Sequence, residues 1–479
     1  MPAVFTDTCR VLREMIERQA AARNALRTRL AGLVSAVVIA VMLGQGIAAA
    51  AVPSLDEKDV EGRTQLWRKA FEGDDAGVKT LLAQGADPNV KDKDGTSPLM
   101  IAARHNRIGC VQALLGAKAQ IEAKDNLGLT ALWQAAGDGQ VEAVKLLAEA
   151  GAKIDARGKD GKTPLEAAVT RNLPDSVRAL LNAKANIEAV DSYGQTGLII
   201  AARQNKIDCM QVLLAAKAQI EAKDNLGATA LSLAAGDGQE DAVKLLIAQG
   251  ADINTKDKIG ISPLMNAARR NQIDCMRILL DAKAPIEAKN NFGETALWLA
   301  AGAGGTEAVN LLIQSGAKVE TKNIDGKTPL AVAAQQNLTE CVLALLKAKA
   351  NLEAKDKLGA TALCLAACNG QADTVKFLIG VGADINARDK DGASPLINAA
   401  RRNQPGIIQV LLDAKAKIEA KDYSGRSALW WAAAEGAVDA VELLLSKRAD
   451  KNCRDSIERL KPAGIAKRNR HDEVAKLLR

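Results

Sequence analysis

The chain has almost none of the residues on which most catalytic centres depend. It contains only two histidines among 479 residues, His105 and His471, and they lie far apart in the sequence. A metal site built on two histidines, or a histidine base beside a serine or cysteine nucleophile, is therefore not expected. We predict that the protein is not an enzyme and that it uses neither a metal nor a cofactor.

Aromatic residues are also scarce, and the charge is close to balanced. Five Trp, four Phe and two Tyr leave few rings for stacking with nucleic-acid bases. The formal net charge is +7, and it falls to +4 without residues 1–51, which hold six basic and three acidic residues. A nucleic-acid partner is therefore not expected.

A glycine recurs every 33 residues over most of the chain, without an insertion or a deletion. The twelve positions are Gly62, Gly95, Gly128, Gly161, Gly194, Gly227, Gly260, Gly293, Gly326, Gly359, Gly392 and Gly425. An unbroken period of this length indicates one supersecondary unit that is repeated and stacked into a solenoid. We therefore expect the function to lie along a continuous surface.

Each unit has the pattern of a turn followed by two short helices. In the unit at Gly95, Pro98 follows a hydroxyl residue that can cap a first helix. The apolar residues within 99–103 fall on one helical face, and those within 111–115 repeat the spacing in a second helix. The Asp-x-x-Gly sequence between units is typical of a tight turn.

The period and two short motifs resemble those of ankyrin repeats. The best matches are the helix-one starts Lys162–Leu165 and Lys327–Leu330 and the closing segments Gly250–Asn254 and Gly382–Asn386. The resemblance runs from about residue 55 to the C-terminus. It implies an all-α ankyrin-repeat solenoid of helix-turn-helix units with short hairpin turns. It also implies that the protein binds other proteins through its turn tips and a concave helix surface.

The chain departs from the family at two positions of the unit. The family's histidine in helix one is replaced in every unit, for example by Trp133 or Glu166. The glycine that follows helix two is replaced by lysine in six units. These lysines are Lys118, Lys184, Lys217, Lys283, Lys349 and Lys415. If the backbone there is left-handed, each lysine costs roughly 1 kcal/mol.

The sequence predicts four segments. Residues 1–52 are a signal peptide or a signal anchor, residues 53–61 a lead-in, and residues 62–457 twelve 33-residue ankyrin-type repeats. Residues 458–479 are a degenerate C-terminal capping repeat that keeps the register and loses the turn. Two repeat types mostly alternate. Type A carries Ala-Lys-Ala and, in four of its units, Arg-x-Asn, and begins at 95, 161, 194, 260, 326 and 392. Type B carries Ala-Ala-Gly-x-Gly or a close variant and begins at 128, 227, 293, 359 and 425.

The N-terminal segment has the three regions of a secretory signal. An apolar run, Leu30–Leu43, follows several arginines and precedes an alanine-rich stretch that ends before Pro53. The run is short for a membrane-spanning helix. We expect a periplasmic or secreted protein, and the alternative is a membrane anchor formed by an uncleaved Leu30–Leu43.

The eight cysteines do not predict a disulfide framework. Four of them occupy one position at the start of helix two, in units too distant for bridging: Cys110, Cys209, Cys275 and Cys341. We interpret this position as a buried slot for small side chains. Cys364 and Cys368 lie one helical turn apart, which fits either core residues or a redox pair.

The candidate partner-binding residues follow from the resemblance, by their position in the unit. The turn tips present the apolar side chains Leu127, Tyr193, Leu226, Ile259, Phe292, Leu358 and Tyr423. The exposed end of helix one presents the cations Arg104, Arg171, Arg203, Arg269, Arg270, Arg401 and Arg402. Type B units place small or acidic residues, such as Asp138 and Asp237, in the same row. Exposed apolar side chains beside arginines have the composition of interface anchors.

A further row of charges precedes the turn aspartates. Basic residues such as Lys124 and Lys223 follow acidic residues such as Glu122 and Glu221 at a spacing of two. On an extended segment this spacing places both charges on the same side. We interpret them as a solvated edge of mutually neutralising charges, with an electrostatic docking strip as the alternative.

These patterns together predict an exported, non-catalytic, monomeric scaffold that binds another protein. A membrane-tethered structural spacer and a secreted effector that binds host proteins are the alternatives.

Overall fold

The computed structural model describes residues 55–479, so the predicted signal segment with Leu30–Leu43 lies outside the described residues. The described part contains 26 helices in thirteen consecutive pairs. The β-type pairing in the described part is limited to three isolated antiparallel bridges. The predicted all-α helix-turn-helix solenoid is therefore confirmed.

The first helix of each pair is short, and the second is slightly longer in most pairs. The first helices are α1 Gln65–Glu72, α3 Pro98–Arg104, α5 Ala131–Gly137, α7 Pro164–Thr170, α9 Gly197–Arg203, α11 Ala230–Gly236, α13 Pro263–Arg269, α15 Ala296–Ala303, α17 Pro329–Gln335, α19 Ala362–Cys368, α21 Pro395–Arg401, α23 Ala428–Glu435 and α25 Pro462–Arg468. The second helices are α2 Asp75–Ala83, α4 Ile108–Gly116, α6 Val141–Glu149, α8 Pro174–Asn182, α10 Ile207–Ala215, α12 Glu240–Ala248, α14 Ile273–Asp281, α16 Thr306–Gln314, α18 Thr339–Lys347, α20 Ala372–Gly380, α22 Pro405–Asp413, α24 Val438–Ser446 and α26 Asp472–Leu477.

The first helix begins at a hydroxyl cap in every pair except the last, in which Lys461 precedes α25. In α7 the Thr163 hydroxyl accepts the N–H of Glu166, and the Glu166 carboxylate accepts the N–H of Thr163 at 2.6 Å. Pro164 takes the first helical position, where its missing N–H costs nothing. The helix ends before Asn172, whose φ of 56° turns the chain into α8. The local sequence is therefore sufficient to set both ends of helix one.

The second helices of the type B units take an N-terminal cap from the preceding unit. In α12 no residue at the N-terminus caps with its own side chain. Instead, Asn205 of the preceding type A unit accepts the N–H of Ala242, in the first turn of α12, at 3.1 Å. The same bond forms at Asn106–Ala143, Asn271–Ala308, Asn337–Thr374 and Asn403–Ala440. Five of the six type A asparagines thus join their unit to the following type B unit.

Stacking of like helices buries one elongated core. Each first helix contacts the first helix of the next unit, and each second helix does the same in its own row. The core is built mainly from leucine, valine and alanine side chains along the whole described array. The four cysteines that begin helix two are buried in it, as predicted.

The lysines after helix two have the left-handed backbone for which the family uses glycine. Their φ angles run from 60° at Lys118 to 69° at Lys184 and Lys415. Type B units place glycine at this position, as at Gly151 with φ of 90°. The conformation that makes these lysines costly is therefore present.

The C-terminal capping repeat differs from the prediction, because it is shifted by one residue and keeps its turn. Arg459, with φ of 59°, occupies the place that Gly425 holds in the preceding unit, 34 residues earlier. The Asp455 carboxylate accepts three backbone N–H groups, including those of Ile457 and Leu460. One inserted residue explains why the glycine period ends at Gly425 although the turn continues.

One junction lacks bonds that its neighbours have. The alternation of types fails between the units at Gly161 and Gly194, which are both type A. Among the described residues the side-chain oxygen of Asn172 is buried without a partner. The backbone bond between tips, as from Asn225 N to Tyr193 O at 3.0 Å, is also missing between these two units. The slip in the repeat order therefore coincides with weaker coupling between units.

Candidate protein-binding surface

The apolar turn tips are exposed and held in place by the backbone. The exposed fraction of the side chain is 65% at Leu127, 70% at Tyr193 and Leu226, and 72% at Leu358. The Asp224 carboxylate accepts the N–H groups of Leu226 and Ala228 at 2.9 and 2.8 Å. Ile259, Phe292 and Tyr423 are exposed in the same way. The structure thus places all seven predicted tip residues at the surface.

The backbone also joins successive tips. Lys258 N donates to Leu226 O, and Asn291 N donates to Ile259 O, both at 3.0 Å. Tyr423 lies one residue earlier in its turn than the other tips, and its N–H donates to Asp391 O at 2.9 Å. Fixed tips lose little conformational entropy on binding, which favours their use as contact points.

Four of the predicted arginines are paired within the array, which sequence reasoning did not predict. Arg104 donates from Nε to Asp138 at 2.9 Å, and Arg171 donates to the other carboxylate oxygen of Asp138. Asp237 is held in the same way by Arg203, at 2.9 Å, and by Arg270. Each aspartate of a type B unit therefore joins the arginines of the type A units on either side. We call these groups the Arg–Asp–Arg clamps.

Three other arginines of the row have no acidic partner among residues 55–479. Arg269 donates only to the side chain of Asn266, at 3.2 Å. Arg401 lies with its guanidinium carbon 4.2 Å from the centre of the Trp431 ring. Arg402 is exposed, and its guanidinium forms no hydrogen bond, ion pair or ring contact with the described residues. At the repeat position that Asp138 and Asp237 hold in the clamps, the units that face these three arginines have Ala303, Asn369 and Glu435.

The rows of lysines and glutamates do not neutralise each other, so that interpretation is wrong. Lys223 Nζ donates to the carbonyl of Lys256, one unit further along, at 3.2 Å. Glu221 accepts the N–H of Asp252 in the next unit at 2.8 Å. The lysine contact recurs from Lys58 to Lys355, with Arg157 donating to Val190 O at 2.7 Å in the place of a lysine, and within this range it is missing only at Val190. Backbone groups at each junction need partners, and these side chains supply them.

A concave pocket joins the tips to the helix-one row near the N-terminal end. It has a volume of about 400 Å³ and is lined by Leu127, Trp133 and the clamp residues Arg104, Asp138 and Arg171, among others. The two sets of predicted binding residues therefore border one continuous surface.

Tryptophans partly replace the missing family histidine. Trp133 Nε1 donates to Lys162 O in the next unit at 3.1 Å, and Trp298 does the same to Lys327 O at 3.2 Å. Trp431 follows one residue after this position, which brings its ring onto the helix-one surface beside Arg401. That one-residue offset was the only sequence signal that Trp431 belongs to the surface.

Most cysteines of the described part are buried in the core. All seven cysteines in the described part are free, and Cys364 is buried while Cys368 is half-buried. Burial raises the pKa of Cys209 and of Cys275 to about 11.

Within residues 55–479 no cluster of potential ligands suits a metal ion. In the same range no helix combines the length and the apolar character needed to cross a bilayer.

Comparison with known proteins identifies the family. A family model described as ankyrin repeats (three copies) matches residues 37–125, 66–158, 109–191, 165–257, 231–323, 315–389 and 363–455. These stretches cover most of the chain, which therefore belongs to the ankyrin-repeat family. The crystal structure of the human ASB11 ankyrin repeat domain is similar at 29% sequence identity, over 46% of this chain and 98% of that one, with a TM-score of 0.42. No curated protein matches the sequence.

Proposed function

We propose that the protein is an exported, non-catalytic scaffold that binds another protein through its turn tips and the exposed ends of its first helices. The observation that carries this proposal is the row of seven exposed apolar tips. Soluble monomers seldom keep many large apolar side chains exposed in one ordered row unless the row makes contacts. Arginines beside the tips add hydrogen-bond donors of the kind that dominate binding energy in interfaces.

Export is supported by the sequence of the first 52 residues. A basic region, the apolar run Leu30–Leu43 and an alanine-rich stretch are the parts of a cleavable signal. We propose that the mature protein is a monomer in the periplasm or outside the cell. An intact mass that begins near Ser54 in a soluble extract supports this, whereas a membrane-bound species that retains Leu30–Leu43 favours the tethered spacer.

The binding proposal is tested with the full-length protein and a tip variant, Tyr193→Ser/Leu226→Ser/Leu358→Ser. Each protein is immobilised and exposed to extract and secreted material from the native organism, and retained proteins are compared. A partner retained by the wild type is expected to be lost from the variant, because each exposed anchor contributes about 1–2 kcal/mol or more to an interface. The fold should be unaffected, because solvent-exposed substitutions change stability by less than about 0.5 kcal/mol.

A matched control is available at Val381, which is 45% exposed but follows the second helix α20. Val381→Ser removes an exposed apolar side chain away from the tips. It is expected to retain the partner. Equal loss of partner in both variants, or retention in both, contradicts binding through the tips.

A further inference from the structure

The Arg–Asp–Arg clamps occur in only part of the helix-one row. Asp138 and Asp237 lie in the type B units at Gly128 and Gly227, whereas the later type B units have Ala303, Asn369 and Glu435 at this position. The arginines at the N-terminal end of the row therefore have their charge balanced within the protein. The arginines that face the later type B units have no aspartate to balance their charge, so they keep free donor groups.

Two arginines without an acidic partner, Arg401 and Arg426, lie against the Trp431 ring, and Arg402 follows Arg401 at the end of α21. We call Arg401, Arg402, Arg426 and Trp431 the Arg–Trp patch. The guanidiniums of Arg401 and Arg426 lie 4.2 and 5.0 Å from the centre of the Trp431 ring. Trp431 Nε1 donates to Asp422 at 2.9 Å, which fixes the ring. A guanidinium stacked on a ring is held in orientation while its N–H edge stays free to bind.

The guanidinium donors of this patch are not used in ion pairs within the described residues. No carboxylate of the described residues forms an ion pair with Arg401, Arg402 or Arg426. The Nε of Arg426 is buried without a hydrogen-bond partner. Arg402 faces the position of Asn369, which is neutral, where Arg171 and Arg270 face an aspartate.

The acidic residues near the patch do not satisfy it. Asp422 already accepts the backbone N–H groups of Ser424 and Arg426 besides the indole N–H of Trp431. Glu435 holds the place of Asp138 in the repeat, but it forms no ion pair, because Arg401 is stacked on Trp431 instead. A partner that brings its own carboxylates therefore finds free guanidinium edges.

We propose that the Arg–Trp patch binds an acidic peptide segment of the protein partner. Carboxylates of the segment accept hydrogen bonds from Arg401 and Arg402, and an apolar side chain packs beside Trp431 and the tip residue Tyr423. A peptide fits better than a nucleic acid, because a guanidinium already covers the Trp431 ring on which a base would stack. This inference rests on the proposed protein-binding function and names the chemistry of the partner.

The first test measures binding of a fluorescent twelve-residue peptide of alternating Asp, Glu and Leu to the full-length protein by anisotropy at 150 mM salt (roughly physiological). The variant is Arg401→Gln/Arg402→Gln, since the chain itself places Gln335 and Gln336 at these two positions. Its matched control is Arg104→Gln/Arg171→Gln, which removes two clamped arginines. The patch variant is expected to lose about tenfold or more in affinity, or about 1.4 kcal/mol, and the control to keep wild-type affinity.

The second test adds one negative charge at two equivalent positions. Asn369→Asp gives Arg402 the partner that Asp138 gives Arg171, so peptide affinity is expected to fall several-fold. Ala303→Asp adds the same charge beside Arg269, outside the patch, and is expected to leave affinity unchanged. Equal effects of the two substitutions contradict a local site.

Three outcomes overturn the assignment. The first is no peptide binding by the wild type, and the second is an equal loss of peptide affinity in the patch and clamp variants. The third is displacement of the peptide by a single-stranded oligonucleotide at a lower concentration than by unlabelled peptide. The failure of this assignment is distinguishable from failure of the proposed function. A native partner that is lost from the tip variant but kept by Arg401→Gln/Arg402→Gln leaves the scaffold function standing and refutes the patch. A partner kept by both variants refutes binding through this surface as a whole.

Discussion

Substitution of two equivalent asparagines is expected to have unequal effects on stability. Asn205 and Asn172 occupy the same position in adjacent type A units, with φ of 53° and 56°. Each also has a long contact from Nδ2 to an aspartate, of 3.5 Å in Asn205 and 3.4 Å in Asn172. They differ in the side-chain oxygen, which in Asn205 caps α12 through Ala242 N and in Asn172 has no partner.

The size of the expected stability difference follows from the helix cap that only Asn205 forms. Asn205→Gly leaves the N–H of Ala242 without an acceptor beside a fully buried side chain, which costs about 1–3 kcal/mol. Both substitutions relieve the same left-handed backbone and lose the same weak aspartate contact, so these contributions cancel in the comparison. Type B units carry glycine at this position, as at Gly139 and Gly238, so the substitution is compatible with the fold. Asn205→Gly is therefore expected to be less stable than Asn172→Gly by about 1–2 kcal/mol.

The assay is equilibrium unfolding in urea, together with hydrogen exchange of the amides at the start of α12. Asn205→Gly should shift the midpoint to lower urea and speed exchange at Ala242, whereas Asn172→Gly should leave exchange in α10 nearly unchanged. Stabilities that agree within about 0.5 kcal/mol, the usual limit of additivity, would refute the view that asparagines couple the units.

Three further results are expected. Asp224→Ala should destabilise the protein by about 2 kcal/mol, because the carboxylate accepts two turn N–H groups, while Asp224→Asn should retain most of that stability in the same urea assay. Burial raises the pKa of Glu166 above its ordinary 4.5, so the stability that this carboxyl contributes is present below pH 4.5 and is lost as the pH rises through its folded-state pKa. Glu166→Gln should therefore gain stability relative to the wild type between pH 4 and pH 7. A stability difference that stays constant over this range would contradict the raised pKa. Iodoacetamide at pH 8 should alkylate half-buried Cys368 well before Cys209, whose pKa burial raises to about 11, as peptide mass mapping over time would show.

The repeat period, together with the resemblance to ankyrin repeats, predicted the fold and the position of the tips. A 33-residue unit with one turn and two amphipathic segments has few ways to bury its apolar faces other than stacking. Once the stacking is known, the residue before each repeat glycine must lie at a tip. This is why Leu127, Leu226 and Leu358 were correctly placed as exposed.

Contacts between units were much less predictable. Lys223 has Glu221 as a close neighbour in sequence, yet it donates to a carbonyl one unit away. Arg104 and Arg171 are 67 residues apart and meet at Asp138 because the stacking superimposes one end of each first helix. Such partners depend on the displacement from one unit to the next, which no local pattern encodes. The added residue before Arg459 was missed because Arg459 replaces the glycine that marked all the preceding turns.

Protein binding through the tips and the helix-one ends is tested most directly by hydrogen exchange of the full-length protein, alone and with its captured partner. Slower exchange is expected in the turns around Leu226 and Leu358 and at the C-terminal ends of α13 and α21, which carry Arg269 and Arg401. Exchange in the second helices, such as α12 and α20, should stay unchanged. Protection confined to the second helices, or spread evenly over both rows, would contradict binding at this surface.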